Sequence, residues 1–82
     1  MKLGERLRKR LDKKYEPSKL VAFRFGRYDV AIKTDLEGNP ILAFVGKANE
    51  HGMIKGDQFN RHLVKNAQGV VIKDHWDYKG NV

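Results

Sequence analysis

Two groups of residues in this chain have the types and spacing to do chemistry. The first is histidine with carboxylate: His62, His75, Asp74 and Asp77, with His51 further upstream. Two imidazoles could serve as acid and base on an RNA phosphodiester, with Lys73 or Arg61 stabilising the developing charge. Asp74, His75 and Asp77 also supply the residue types of a metal site. Alternation works against that reading, because along a strand His75 and Asp77 share one face while Asp74 points to the other. Polar surface residues around a partly buried Trp76 are the favoured reading, so no catalytic residue, metal ligand or cofactor is assigned. Gly46-Lys47 lacks the spacing and the hydroxyl of a phosphate-binding loop. The only serine, Ser18, sits beside Pro17 in a connecting segment. The chain is expected not to be an enzyme.

The second group is cationic. Lys2, Arg6, Arg10 and Lys14 recur every four residues, with Lys13 beside them. On a helix such a row can face successive phosphates and release their counterions. Residues 1–19 hold eight Lys/Arg against three acids, a net +5 of the chain's total of +7. A solvated face that keeps a small protein soluble is the competing reading. Phe23, Arg24, Phe25, Arg27 and Tyr28 interleave aromatic and basic residues, a pattern used to stack bases and hold phosphates. Strand alternation assigns Phe23 and Phe25 to the core, which leaves Arg27 and Tyr28 as surface contacts. The expected nucleic-acid-binding set is therefore Lys2, Arg6, Arg10, Lys13, Lys14, Arg27 and Tyr28.

These groups need elements to hold them. Leu3, Leu7, Leu11 and Tyr15 form a narrow apolar stripe, which predicts an amphipathic helix over 2–14, stopped by Pro17. Residues 19–26 alternate as a strand, and Gly26-Arg27 reads as a tight turn or a bulge. Tyr28, Val30, Ile32 and Thr34 then share a face. The stretch from Tyr28 to Ile41 overlays Phe59 to Ile72 at a constant offset of 31, with Asp35 on Asn66 and Gly38 on Gly69. Each copy is an apolar run, an Asp/Asn-x-Glu/Gln-Gly turn and a second apolar run, which predicts a duplicated hairpin. Ile41–Val45 reads as a central strand buried on both sides, Gly46–Gly52 as a loop, and Gly56-Asp57 as an interruption. The last strand is expected over Val70–Trp76, followed by a loose terminus.

The fold class expected is α+β: an N-terminal amphipathic helix and five or six short, mainly antiparallel strands in a curled sheet or small barrel. A single domain over 1–82 divides into a basic helical arm (1–16) and a β-rich core (19–77). The core should draw on Leu7, Leu11, Val21, Phe23, Phe25, Val30, Ile32, Ile41, Ala43, Val45, Leu63, Ile72 and Trp76. The absence of cysteine, of an apolar run near the roughly 18 residues of a membrane span, and of a secretory signal points to a cytoplasmic monomer with no membrane partner.

Phe44-Val-Gly-Lys-Ala-Asn-Glu-His-Gly-Met-Ile-Lys-Gly56 and Ile72-Lys-Asp-His-Trp-Asp-Tyr-Lys-Gly80 resemble segments of small uncharacterised bacterial proteins of about this length. The chain also resembles the β-rich proteins with a seven-crossing torus knot (septoil knot). That resemblance implies an entangled backbone and brings no activity. The function expected is a small, basic, non-catalytic binding domain that contacts RNA or DNA backbone. The alternative is a structural or protein-interaction domain stabilised by an entangled topology. A metal-independent ribonuclease using His62 and His75 is the remote one.

Overall fold

The computed structural model describes residues 3–81. One short helix, α1 (Glu5–Leu11), precedes five strands: β1 (Leu20–Phe25), β2 (Tyr28–Thr34), β3 (Pro40–Ala48), β4 (Ile54–Lys65) and β5 (Val71–Asn81). All pairings are antiparallel and the order is β1-β2-β3-β4-β5. The sheet is open, with β1 and β5 as its edges, and does not close into a barrel. Every connection joins neighbouring strands, and the entanglement implied by the resemblance finds no support in this order.

Alternation places Val30 and Ile32 on the same face as Ala43, Val45 and Phe59, all buried, and α1 lays Leu7 and Leu11 over them. Val21, Phe23, Phe25 and Trp76 pack half-buried around this core. Phe59, second-repeat counterpart of Tyr28, is a core residue that the expected core omits. Ile72 is the reverse case: it is 64% exposed. The β4–β5 hairpin runs past the start of β3, whose first pairing with β4 is Leu42 to Asn60, so its distal end has no third strand paired to it, although the Lys65 ammonium reaches Glu37 in the β2–β3 turn.

Several boundaries differ from those expected. The helix ends at Leu11 with Asp12 as C-cap, so Pro17 is not what stops it. Lys13, Lys14 and Tyr15 lie beyond it, although the four-residue row continues through them. Tyr15 still joins the core edge: its ring stacks on Phe23 at 6.4 Å and its hydroxyl donates to the Arg10 carbonyl at 2.7 Å. The Gly46–Gly52 segment is strand as far as Ala48, and Gly56-Asp57 lies inside β4 without interrupting it. The terminus expected to be loose pairs with β4 as far as Asn81. On β3, Ala43 and Val45 are buried but Leu42 and Phe44 on the other face are only half-covered, so the strand is central without being buried on both sides.

The two repeat turns are built alike. In each, the side-chain oxygen of Asp35 or Asn66 accepts the backbone N–H groups two and four residues on, as an Asx turn does. A third copy occurs at Asn49, whose Oδ1 accepts from His51 and Met53. Gly38 and Gly69 hold equivalent positions with φ of +83° and +79°, a region open mainly to glycine. Their surroundings differ. The Tyr15 N–H donates to the Gly38 carbonyl at 2.8 Å, and a Cβ on Gly38 would overlap the Tyr15 carbonyl, whereas nothing lies within 4 Å of one on Gly69. Gly69→Ala should therefore cost only the backbone strain of about 1 kcal/mol. Gly38→Ala should cost about 2 kcal/mol more, since the helix-to-sheet connector must move as well. Equal denaturation midpoints for the two variants would contradict this.

Candidate nucleic-acid interface

The cations are positioned by the same docking that builds the core. Burial of Leu7 and Leu11 fixes the rotation of α1, and the residues flanking Leu7 and Leu11 then overhang β1. The Arg6 guanidinium lies 5.8 Å from the centre of the Phe25 ring, and that of Arg10 lies 4.3 Å from Phe23. Both rings attract the cation through their π-face. Four helical residues rise about 6 Å, so the two guanidinium groups are held about one turn apart, with Arg6 exposed and Arg10 half-buried. Alternation correctly assigns Phe23 and Phe25 to the helix side of the sheet. It does not disclose that arginines would roof them.

Arg6 also shares a shallow groove of about 330 Å³ with Phe25 and Tyr28. Tyr28 is 40% exposed there. Arg27 occupies the β1–β2 turn beside Tyr28, and its carbonyl accepts from the Lys47 ammonium. Lys13 and Lys14 are exposed after the other end of the helix, next to the Tyr15–Gly38 contact. Arg6 and Tyr28 are thus brought together, Arg10 continues the line, and Lys13 and Lys14 extend it towards the β2–β3 turn. Lys2 lies outside the described residues. Two further cations, Arg8 and Lys9, are exposed on α1 as well. Lys47, absent from the expected contacts, lies near the end of β3 and not in the loop expected over Gly46–Gly52.

Arg61 does something different with its charge. Its side chain is 7% exposed and grips Asp74 with two nitrogens at 2.6 and 2.7 Å. It donates at 3.3 Å to the carbonyls of Leu11 and Pro40, lies 3.6 Å from Asp12, and covers Trp76 at 5.5 Å. The hydrogen bonds from Arg61 hold the Asp74 carboxyl below the usual range, against the opposing pull of partial burial.

On the sheet face away from α1, His62 and His75 are cross-strand partners. Their Nε2 atoms reach separate oxygens of Asp77, at 2.9 and 2.6 Å. Burial works to raise the Asp77 pKa, but the hydrogen bond from His75 and the neighbouring His75, His62 and Lys79 charges bring it below the ordinary value. Asp74 lies on the helix side with Arg61, on the face opposite His75 and Asp77, as alternation along β5 predicts. Among the described residues no group of three His, Asp or Glu is arranged to hold a metal ion, and none of the helices is long and apolar enough to cross a membrane.

No protein-family model, curated protein or solved structure matches the chain. The functional reading therefore rests on the geometry of a small open β-meander roofed by a basic helix.

Proposed function

We propose that the chain is a non-catalytic binding domain that contacts nucleic-acid backbone through the cation strip of α1 and its flanks. One observation carries this reading. Among the described residues, Arg6, Arg8, Lys9, Arg10, Lys13 and Lys14 have no carboxylate within ion-pair distance, and the only paired Lys/Arg are Arg61 and Lys65. Six unneutralised cations within nine residues repel one another on the folded surface. A polyanion relieves that repulsion and gives up its own counterions in doing so. The aromatic rings hold Arg6 and Arg10 in place beforehand, so less side-chain freedom is lost on binding.

The test is fluorescence anisotropy with a labelled single-stranded RNA and a labelled duplex DNA at low salt. Arg6→Gln/Arg10→Gln should weaken binding at least tenfold. Lys73→Gln/Lys79→Gln removes the same charge from β5 and should change affinity less than threefold. Equal losses would show attraction by net charge alone, and no anisotropy change with the native chain would leave an interaction or structural domain as the better reading.

A further inference from the structure

The sheet face opposite α1 carries a second site. Across the strand register, Leu20, Lys33, Leu42, Asn60 and Asp77 form one row, and Ala22, Ala31, Phe44 and Gln58 the next. The β1–β3 half of this face is therefore largely apolar and the β4–β5 half polar. The apolar half is not bare, because the β3–β4 hairpin leans over it. Gly46 and Gly56 face each other where the two strands come close: a Cβ on Gly46 would sit 2.9 Å from the Gly56 Cα, and one on Gly56 would sit 2.8 Å from the Gly46 Cα. Only paired glycines permit that approach. Beyond it, the Ala48 N–H donates to Asp29 Oδ2 at 2.9 Å and ties the hairpin to β2.

The result is a groove of about 530 Å³ lined by Leu20, Ala31, Phe44, Met53, Ile54 and Lys55. This falls within the ~300–1,000 Å³ typical of small-molecule sites. Leu20 and Met53 form its lips and are 72% and 68% exposed, apolar surface that water solvates poorly. Cations predominate around it, with Glu50 an exposed acid in the turn between Asn49 and Gly52. Lys55 is part of the lining, Lys33 stands opposite Leu20 in the register, and Arg24 follows Ala22 on the same face. Of the nearby acids, Asp29 accepts from the Ala48 N–H and Glu50 lies 3.6 Å from His51 Nε2.

We propose that this groove binds the hydrocarbon chain of a fatty-acid-type amphipathic anion, with the carboxylate held at the Lys33 and Lys55 rim. The apolar walls take the chain, the cations select the sign of the headgroup, and the open sides suit a linear ligand better than a compact one. The site is on the opposite face from α1 and does not depend on nucleic-acid binding.

The test is titration calorimetry of the full chain with hexanoate, octanoate and decanoate below their micelle concentrations. Decyltrimethylammonium serves as the chain-matched cation. Saturable one-to-one binding is expected, tightening about threefold to fourfold per added methylene, with the cation at least fivefold weaker than decanoate. Ala31→Phe should fill the groove and reduce decanoate affinity at least tenfold. Lys55→Gln should bring the two headgroups closer in affinity. Near-UV circular dichroism reports whether each variant keeps its fold, and the chain-length and headgroup comparisons on the native protein need no variant. Absent binding, affinity independent of chain length, or equal affinity for both headgroups would overturn the proposal. So would a stable dimer in sedimentation that decanoate leaves unchanged, because a second copy would then be the occupant.

Discussion

Replacing Leu11 with alanine should destabilise the protein by about 3 kcal/mol and release α1 from the sheet. Leu11 is fully buried, so the lost methyl groups leave a void beneath the helix end. For a domain of this size, about 5–15 kcal/mol is the whole margin of stability. A helix of seven residues is also far below the roughly 12–15 needed to persist unaided in water, so losing its dock should remove its circular-dichroism signal rather than leave it swinging free. The consequence for binding separates geometry from charge. Leu11→Ala removes no cation, yet Arg6 and Arg10 lose their places over Phe25 and Phe23. Affinity for nucleic acid should fall severalfold at constant net charge. Leu36→Ala, at a residue 85% exposed, should change neither stability nor affinity, and parity between the two variants would contradict the role given to docking.

Arg61→Ala is expected to be of similar size, about 3 kcal/mol, for a different reason. The guanidinium joins three elements at once: the end of α1 through Leu11 and Asp12, the start of β3 through Pro40, and β5 through Asp74 and Trp76. Its removal strands two carbonyls and a carboxylate, although Asp74 is 31% exposed at its side chain and can regain water in part. Arg61→Lys should recover less than half of the loss, because an ammonium cannot form the fork that spans both Asp74 oxygens.

The pair also fixes a pH response. A carboxyl held below its unfolded value contributes stability above about pH 3.9, and that contribution drains away as the pH falls through the folded value. The melting temperature of the native chain should therefore drop more steeply between pH 5 and 2 than that of Asp74→Asn, which starts lower at neutral pH and changes less. Parallel acid profiles would show that Asp74 does not carry this stability.

Much of the frame can be read from local rules. Gly38 and Gly69 mark two hairpin turns because their Asx-x-x-Gly chemistry repeats at a fixed offset of 31. The third turn, Asn49 to Gly52, has the same chemistry but lies 14 residues from the first, so a search at one period passes over it. The same turn joins the ends of β3 and β4 as a hairpin where a loop is expected. The helix is shorter than a cation row reaching Lys14 predicts, because Asp12 already caps it. Ile72 matches Ile41 in the repeat, but the two sit in different surroundings, since Ile41 is on the central strand β3 and Ile72 on the edge strand β5. For the site, charge asymmetry identified the strip and alternation identified the rings beneath it. Contact between Arg6 and Phe25, or Arg10 and Phe23, depends on how α1 crosses β1, which is tertiary information. Arg61 carries no local sign of its burial, because its partners come from three separate parts of the chain.

The salt dependence of single-stranded RNA binding tests the central claim most directly. Four phosphate contacts, from Arg6, Arg10, Lys13 and Lys14, correspond to a slope of about −3 in log affinity against log salt concentration. Removing two of them in Arg6→Gln/Arg10→Gln should bring the slope to about −1.4. A slope near zero, or one that the double substitution leaves unchanged, would contradict the assignment of backbone binding to this strip.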